Sequence, residues 1–231
     1  MTLLLALDTA THTLSLALHS GEEVLYEQTW RTAGNHSVEL APAVKKALAQ
    51  FEPAGQPALS AVAVSNGPGT YTGLRVGVAL AKAIASARGL PLVGISTLDV
   101  LAAGAPQTAG TLAAVLLAGR GRLVWSAYHW RNGRWKAKAE AAIATWDELL
   151  SAVDGPTWVT GEISSDGRAA LERAQREDAP ITIVPAAARL RRAGYLAQLA
   201  WERLHEVGER SRELFAPAAL VPAYIKTPDA P

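Results

Sequence analysis

A run of seven residues, Gly67-Pro68-Gly69-Thr70-Tyr71-Thr72-Gly73, separates a short apolar stretch at 61–65 from helical periodicity over about 74–88. Glycine tolerates the backbone of a tight turn and lets a helix approach a strand closely. Apolar strand, glycine turn and helix in direct succession open a parallel crossover, which commits the chain to an α/β arrangement. Gly89, with Pro91 just beyond, ends that helix, and residues 92–95 supply the next buried strand.

The segments on either side extend the pattern. Residues 3–7 are an apolar run ending at Asp8, and 13–18 alternate with Leu14, Leu16 and Leu18 on one face. Gly21 and two glutamates turn the chain into a third strand at 24–30. A helix follows over 37–50, its apolar face built by Leu40, Val44, Ala47, Leu48 and Phe51. Asn35 or Ser37 caps its first turn, and Glu39 suits the positive end of its dipole. Ser96-Thr97-Leu98-Asp99 is a capping box for one more helix. The order βββαβαβα is the half-unit of the actin/hexokinase fold.

A Gly/Ala/Pro/Thr-rich stretch at 103–111 marks a boundary, after which the order returns more loosely. Strands are expected at 112–117 and 123–130, with Asn132-Gly133 as a hairpin turn into a third at 135–143. Thr145-Trp146-Asp147-Glu148 opens a short helix. A strand at 157–160, a helix at 166–177, a strand at 181–184 and a helix at 193–207 complete the series. The expectation is a two-lobed actin-like α/β molecule, residues 1–103 and a smaller lobe at 104–231, with Tyr224-Ile225 packed as an extended tail.

Composition narrows the function. Lys and Arg number 22 against 21 Asp and Glu, a net charge of +1, which is no footprint for a polyanion. There is no cysteine, so disulfides, zinc–thiolate sites and thiol nucleophiles are excluded. The first residues lack a basic n-region, and no apolar run reaches the ~20 residues that span a bilayer. A cytoplasmic protein without a membrane partner is expected.

Few residues invite chemistry. The Gly67–Gly73 loop either offers backbone amides to an anion or simply makes a tight turn. It is neither a P-loop nor a dinucleotide fingerprint. Asp8, Thr9 and Thr11 follow the first strand, where actin-like folds place a phosphate-facing loop; the alternative is an ordinary strand-to-strand turn. His36 and Glu39 stand three apart at a helix start, as a ligand pair or as a polar cap, and no other histidine has ligand spacing. No nucleophile elbow is present. Gly73, Gly77 and Ala81 form a stripe of small residues, either packed on the sheet or open to a partner helix.

Residues 65–77, Ser-Asn-Gly-Pro-Gly-Thr-Tyr-Thr-Gly-Leu-Arg-Val-Gly, resemble the signature of the TsaB (YeaZ) family, G-P-G-S-F-T-G-L-R-I-G. Leu5-Ala6-Leu7-Asp8-Thr9, His36-Ser37 with Leu40 and Pro42, Ala81-Lys82, residues 91–96 and Leu98 also match, so the resemblance covers about the first hundred residues. The second half matches mainly at Trp125 and at Pro222-Ala223-Tyr224-Ile225-Lys226. It departs at Leu117, Gly119 and Arg122, where the family often has Asp, Arg and Glu.

The resemblance implies an ASKHA-type fold and a subunit of the machinery that makes N6-threonylcarbamoyladenosine beside the anticodon of tRNA. It implies a TsaD-like catalytic paralogue and a TsaE-like ATPase as partners, and homodimers when alone; the balanced charge adds that tRNA is held only indirectly. TsaD-like proteins carry two metal-binding histidines where this chain has Thr97 and Leu101, so the chain is expected to be a non-catalytic scaffold. His36, Glu39, Gly73, Arg75, Gly77, Ala81 and Lys82 are the expected partner-docking residues. No cofactor is required on this reading, although ATP or ADP would bind at Asp8, Thr9 and Thr11 between the lobes. The competing readings are an ATP-dependent phosphotransferase or ATPase using Asp8, and a metallo-glycopeptidase, against which the missing histidine pair argues.

Overall fold

The computed structural model describes residues 2–51 and 59–225. The chain divides into two units, one of residues up to Val100 together with Arg192–Ala223, the other of Leu101–Arg191 with Tyr224 and Ile225.

The first unit is built on five strands: β1 (Leu3–Asp8), β2 (Thr13–His19), β3 (Val24–Arg31), β4 (Leu59–Gly67) and β5 (Leu92–Ser96). Their order is β3-β2-β1-β4-β5. The first three form an antiparallel meander, and β1, β4 and β5 run parallel. Helices α1 (His36–Phe51) and α2 (Tyr71–Arg88) follow β3 and β4, and α3 (Thr97–Ala103) follows β5. Leu3, Leu5 and Leu7 join Leu14, Leu16 and Leu18 under α1 and α2, where Leu40, Val44, Val78, Ala81 and Ala85 complete one core. Each buried leucine contributes about 1.5–3 kcal/mol relative to an exposed one. Thr70 caps α2 by accepting from the Gly73 amide, and Gly89 ends it in the left-handed conformation at φ 61°.

Every residue of β1 is buried, because the opposite face of the sheet is covered too. Its cover is α6 (Ala193–Val207), whose Leu196, Ala197, Ala200 and Leu204 lie on Leu4, Ala6, Ala17, Ala61 and Ala63. The expected boundary at residue 103 put this helix in the second lobe, and the structure corrects that. Small residues on both surfaces let helix and sheet approach closely, and the start of α6 is anchored on the meander. The Ala193 amide donates to Ser15 Oγ at 2.8 Å, the Gly194 amide to Glu27 Oε1 at 2.7 Å, and Arg192 Nε to Glu27 Oε2 at 2.8 Å. A carboxylate at a helix N-terminus is stabilised by the dipole. Beyond the short helix α7 (Ser211–Leu214), the Phe215 carbonyl accepts from the Leu92 amide and the Ala223 amide donates to the Asn66 carbonyl. The extended tail is thus held at Ala223, while Tyr224 is exposed. Residues beyond 225, including Lys226, lie outside the described part.

The second unit orders its strands β11-β10-β6-β7-β8, with β9 also on β7. These are β6 (Thr111–Gly119), β7 (Arg122–Arg131), β8 (Arg134–Ala137), β9 (Ala142–Ala144), β10 (Thr157–Gly161) and β11 (Ile181–Ile183). Helices α4 (Trp146–Ala152) and α5 (Ser165–Arg176) cover one face through Trp146, Leu149, Ala170 and Leu171. Asn132 and Gly133 both take positive φ, 55° and 75°, as a two-residue hairpin turn requires. The single strand expected at 135–143 is broken in two, and between the pieces the Ala139 carbonyl accepts from the Ser126 hydroxyl. Thr145 and Glu148 close the predicted capping box in both directions. Donors from Thr145 hold the Glu148 carboxyl below its usual pKa.

Candidate functional site

The loop after β1 and the glycine loop before α2 meet in the first unit. The Asp8 carboxylate accepts from the Ala10 amide at 3.0 Å and from the Ser65 hydroxyl at 2.7 Å. The Thr70 amide donates to the Ala10 carbonyl at 2.7 Å. Thr9 Oγ1 donates to the Gly73 carbonyl at 2.7 Å, on the first turn of α2. A Cβ on Gly73 would stand 2.2 Å from the Thr9 carbonyl, and one on Gly77 2.1 Å from Thr9 Oγ1. Both glycines are therefore fixed by the close approach of helix to loop.

The candidate nucleotide residues Asp8, Thr9 and Thr11 are buried, at 0%, 0% and 3% exposure. Asp8 orients the turn and Thr9 fastens the helix, so both side chains are engaged in holding the two loops together.

His36 and Glu39 begin α1, and their side chains bond to different partners. His36 Nε2 faces the Thr11 carbonyl at 2.8 Å and so carries the hydrogen, while its Nδ1 is buried without a hydrogen-bond partner. Glu39 accepts from Trp30 Nε1 at 2.7 Å and from Thr32 Oγ1 at 2.9 Å. Among the described residues no three His, Asp or Glu side chains are placed to hold a metal. Thr97 and Leu101 are both buried, at 0% and 2% exposure.

The expected docking residues need correction. Gly73, Gly77 and Ala81 are buried on the sheet side of α2, because the small stripe serves packing. Lys82 Nζ donates to the Leu220 carbonyl at 2.9 Å and to the Ala218 carbonyl at 3.2 Å, so it secures the returning tail. Only Arg75 of the set presents an exposed side chain, its guanidinium 3.9 Å from the centre of the Tyr71 ring. The outward surface of the helix pair is formed by residues outside the expected docking set. Val38 is 72% exposed and Tyr71 57%, with Ala41, Pro42, Ala79 and Ala83 also exposed. Val38 precedes the apolar face that periodicity picks out, so its one sequence signal was an apolar residue at a polar position, whereas Tyr71 stands within the family signature at 65–77. Ser65 was likewise missed, being silent until its bond to Asp8 is seen.

The family model of TsaD, tRNA N6-adenosine threonylcarbamoyltransferase, matches residues 30–223. The tRNA threonylcarbamoyladenosine biosynthesis protein TsaB of Bacillus subtilis is 34% identical over 70% of this chain and 72% of its own length. The protein of the same name from Escherichia coli is 32% identical over 61% of each chain. Among solved structures, YeaZ from Pseudomonas aeruginosa superposes with a TM-score of 0.74 at 26% identity, over 97% of this chain and all of that one. The fold is the actin-like one that the strand order predicts.

Proposed function

The chain belongs to the TsaB (YeaZ) family of tRNA threonylcarbamoyladenosine biosynthesis proteins, and we propose that within that pathway it is a non-catalytic subunit that docks a TsaD-like transferase. The observation that carries this reading is the outward surface of α1 and α2. Val38 and Tyr71 leave large apolar side chains in water there, flanked by small residues that allow a partner helix to approach. Lys45, Lys46 and Arg75 are exposed on the same two helices, and the single carboxylate on them, Glu39, is engaged by Trp30 and Thr32. The partner surface that fits is apolar at its centre and acidic at its rim.

The residues that chemistry would need support the same reading. Asp8 and Thr9, which an ATP-dependent reaction would use, are bonded to Ser65, Ala10 and Gly73. Thr97 and Leu101 are poor metal ligands. A TsaE-like ATPase joins the complex on this account, and the free chain pairs with itself through the same helices.

Sedimentation of the chain mixed with its cognate transferase tests the proposal. A one-to-one complex is expected with the native chain and not with Val38→Glu. Equal association of both proteins would overturn the assignment of the docking surface.

A further inference from the structure

The near-zero net charge conceals an uneven distribution. Residues 100–139 contain no Asp or Glu, yet hold Arg120, Arg122, Arg131, Arg134, Lys136 and Lys138. The hairpin of β7 and β8 gathers most of these onto one face. Its register sets Arg131 opposite Arg134 and His129 opposite Lys136. Thr111 pairs with His129 on the next strand, and Lys138 Nζ reaches the Thr111 hydroxyl at 3.0 Å, so Lys138 extends the same row. Arg131, Arg134 and Lys138 are exposed, and His129 and Lys136 are half-buried.

Such a ladder works against the hairpin, because like charges directly opposite each other destabilise a strand pair. The other face is built to hold it rigid. Trp130 and Trp135 pack edge to face with ring centres 5.4 Å apart, and Trp135 Nε1 donates to the Ala105 carbonyl. A rigid row of cations, maintained at a cost to stability, is the arrangement that recognises a line of phosphates.

We propose that this ladder binds the phosphate backbone of RNA. The choice of RNA over another polyanion rests on the pathway named for the relatives, not on the docking of a transferase. It also revises the expectation that tRNA is held only by other subunits, which was drawn from charge summed over the chain.

The test is fluorescence anisotropy of labelled unmodified tRNA with the full chain alone, from about 50 to 200 mM salt. Arg131→Gln/Arg134→Gln is expected to weaken binding about tenfold at the lower salt. It should also reduce the slope of log K against log salt by about 0.7–0.9 for each phosphate no longer neutralised. Arg131→Lys/Arg134→Lys should keep most of the affinity, which separates lost charge from misfolding, and melting of the Gln variant should be unchanged or raised. Absence of binding by the native chain, or equal affinity and slope in the Gln variant, would overturn the proposal. So would a Gln variant that binds tRNA normally but loses its transferase partner, since the ladder would then meet an acidic protein surface. Because the free chain is measured, failure to assemble with a transferase leaves the result legible.

Discussion

Thr9 and Gly77 touch with no side chain between them: a methyl group on Gly77 would stand 2.1 Å from the Thr9 hydroxyl, which itself donates to Gly73 at 2.7 Å. Alanine normally improves a helix by up to ~1 kcal/mol over glycine. Here the clash with a stiff β-branched side chain outweighs that gain, and Gly77→Ala is expected to cost about 1–3 kcal/mol. Thr9→Ala alone should cost about 1 kcal/mol for the lost hydrogen bond. In urea unfolding, the double variant should be more stable than the sum of the two predicts; strict additivity would show that this close approach does not govern the packing.

Asp8 tests the alternative of an ATP-dependent enzyme. Its carboxylate holds the turn through Ala10 and Ser65. Asp8→Asn keeps an acceptor for the amide and should cost about 1 kcal/mol, whereas Asp8→Ala strands buried donors and should cost about 1–3 kcal/mol. Neither substitution is expected to change ATP turnover, because the native chain is expected to have none. A measurable turnover abolished by Asp8→Asn would favour the enzyme reading.

His19 predicts a pH dependence. It is buried on β2, its Nδ1 accepts from the Gly21 amide at 2.9 Å, and burial pushes its pKa below the ordinary 6.5. The folded state therefore favours the neutral ring, and the unfolded chain takes up the proton first. The contribution is complete above pH 6.5 and is lost as pH falls from there through the lower folded value. His19→Asn retains an acceptor for the amide but does not titrate. Its melting temperature should fall less steeply than that of the native chain over this window; parallel curves would contradict the assignment.

The docking surface predicts a separation of binding from stability. Val38→Glu and Tyr71→Ala alter exposed positions, so each should shift stability by less than ~0.5 kcal/mol. Each should weaken association with the transferase by tenfold or more, the scale of a central interface residue. Calorimetric titration beside thermal melts reads both quantities. A loss of affinity matched by a loss of folding would mean that the surface is structural.

The legible parts of the fold were those that local chemistry decides. Gly89 and the Thr145–Glu148 box end and begin their helices where expected, because caps are chosen by one or two residues. The Asn132-Gly133 turn follows from positive φ alone. The placement of α6 was not legible, since its Ala-rich face records only that something flat covers it, and the choice between two sheets lies in Ser15 and Glu27, far away in sequence. At the site, periodicity found the Gly73–Gly77–Ala81 stripe and left its direction open between sheet and partner; Thr9 determines it. The basic ladder escaped because a total of +1 averages over the register that collects it.

The most direct test of the central claim is an omission experiment on tRNA threonylcarbamoylation. Cognate transferase, ATPase partner, threonylcarbamoyl donor and tRNA are combined with and without this chain. The account predicts that the chain alone forms no product, and that leaving it out abolishes turnover by the others. Undiminished turnover without it, or modification by the chain alone, would contradict the account.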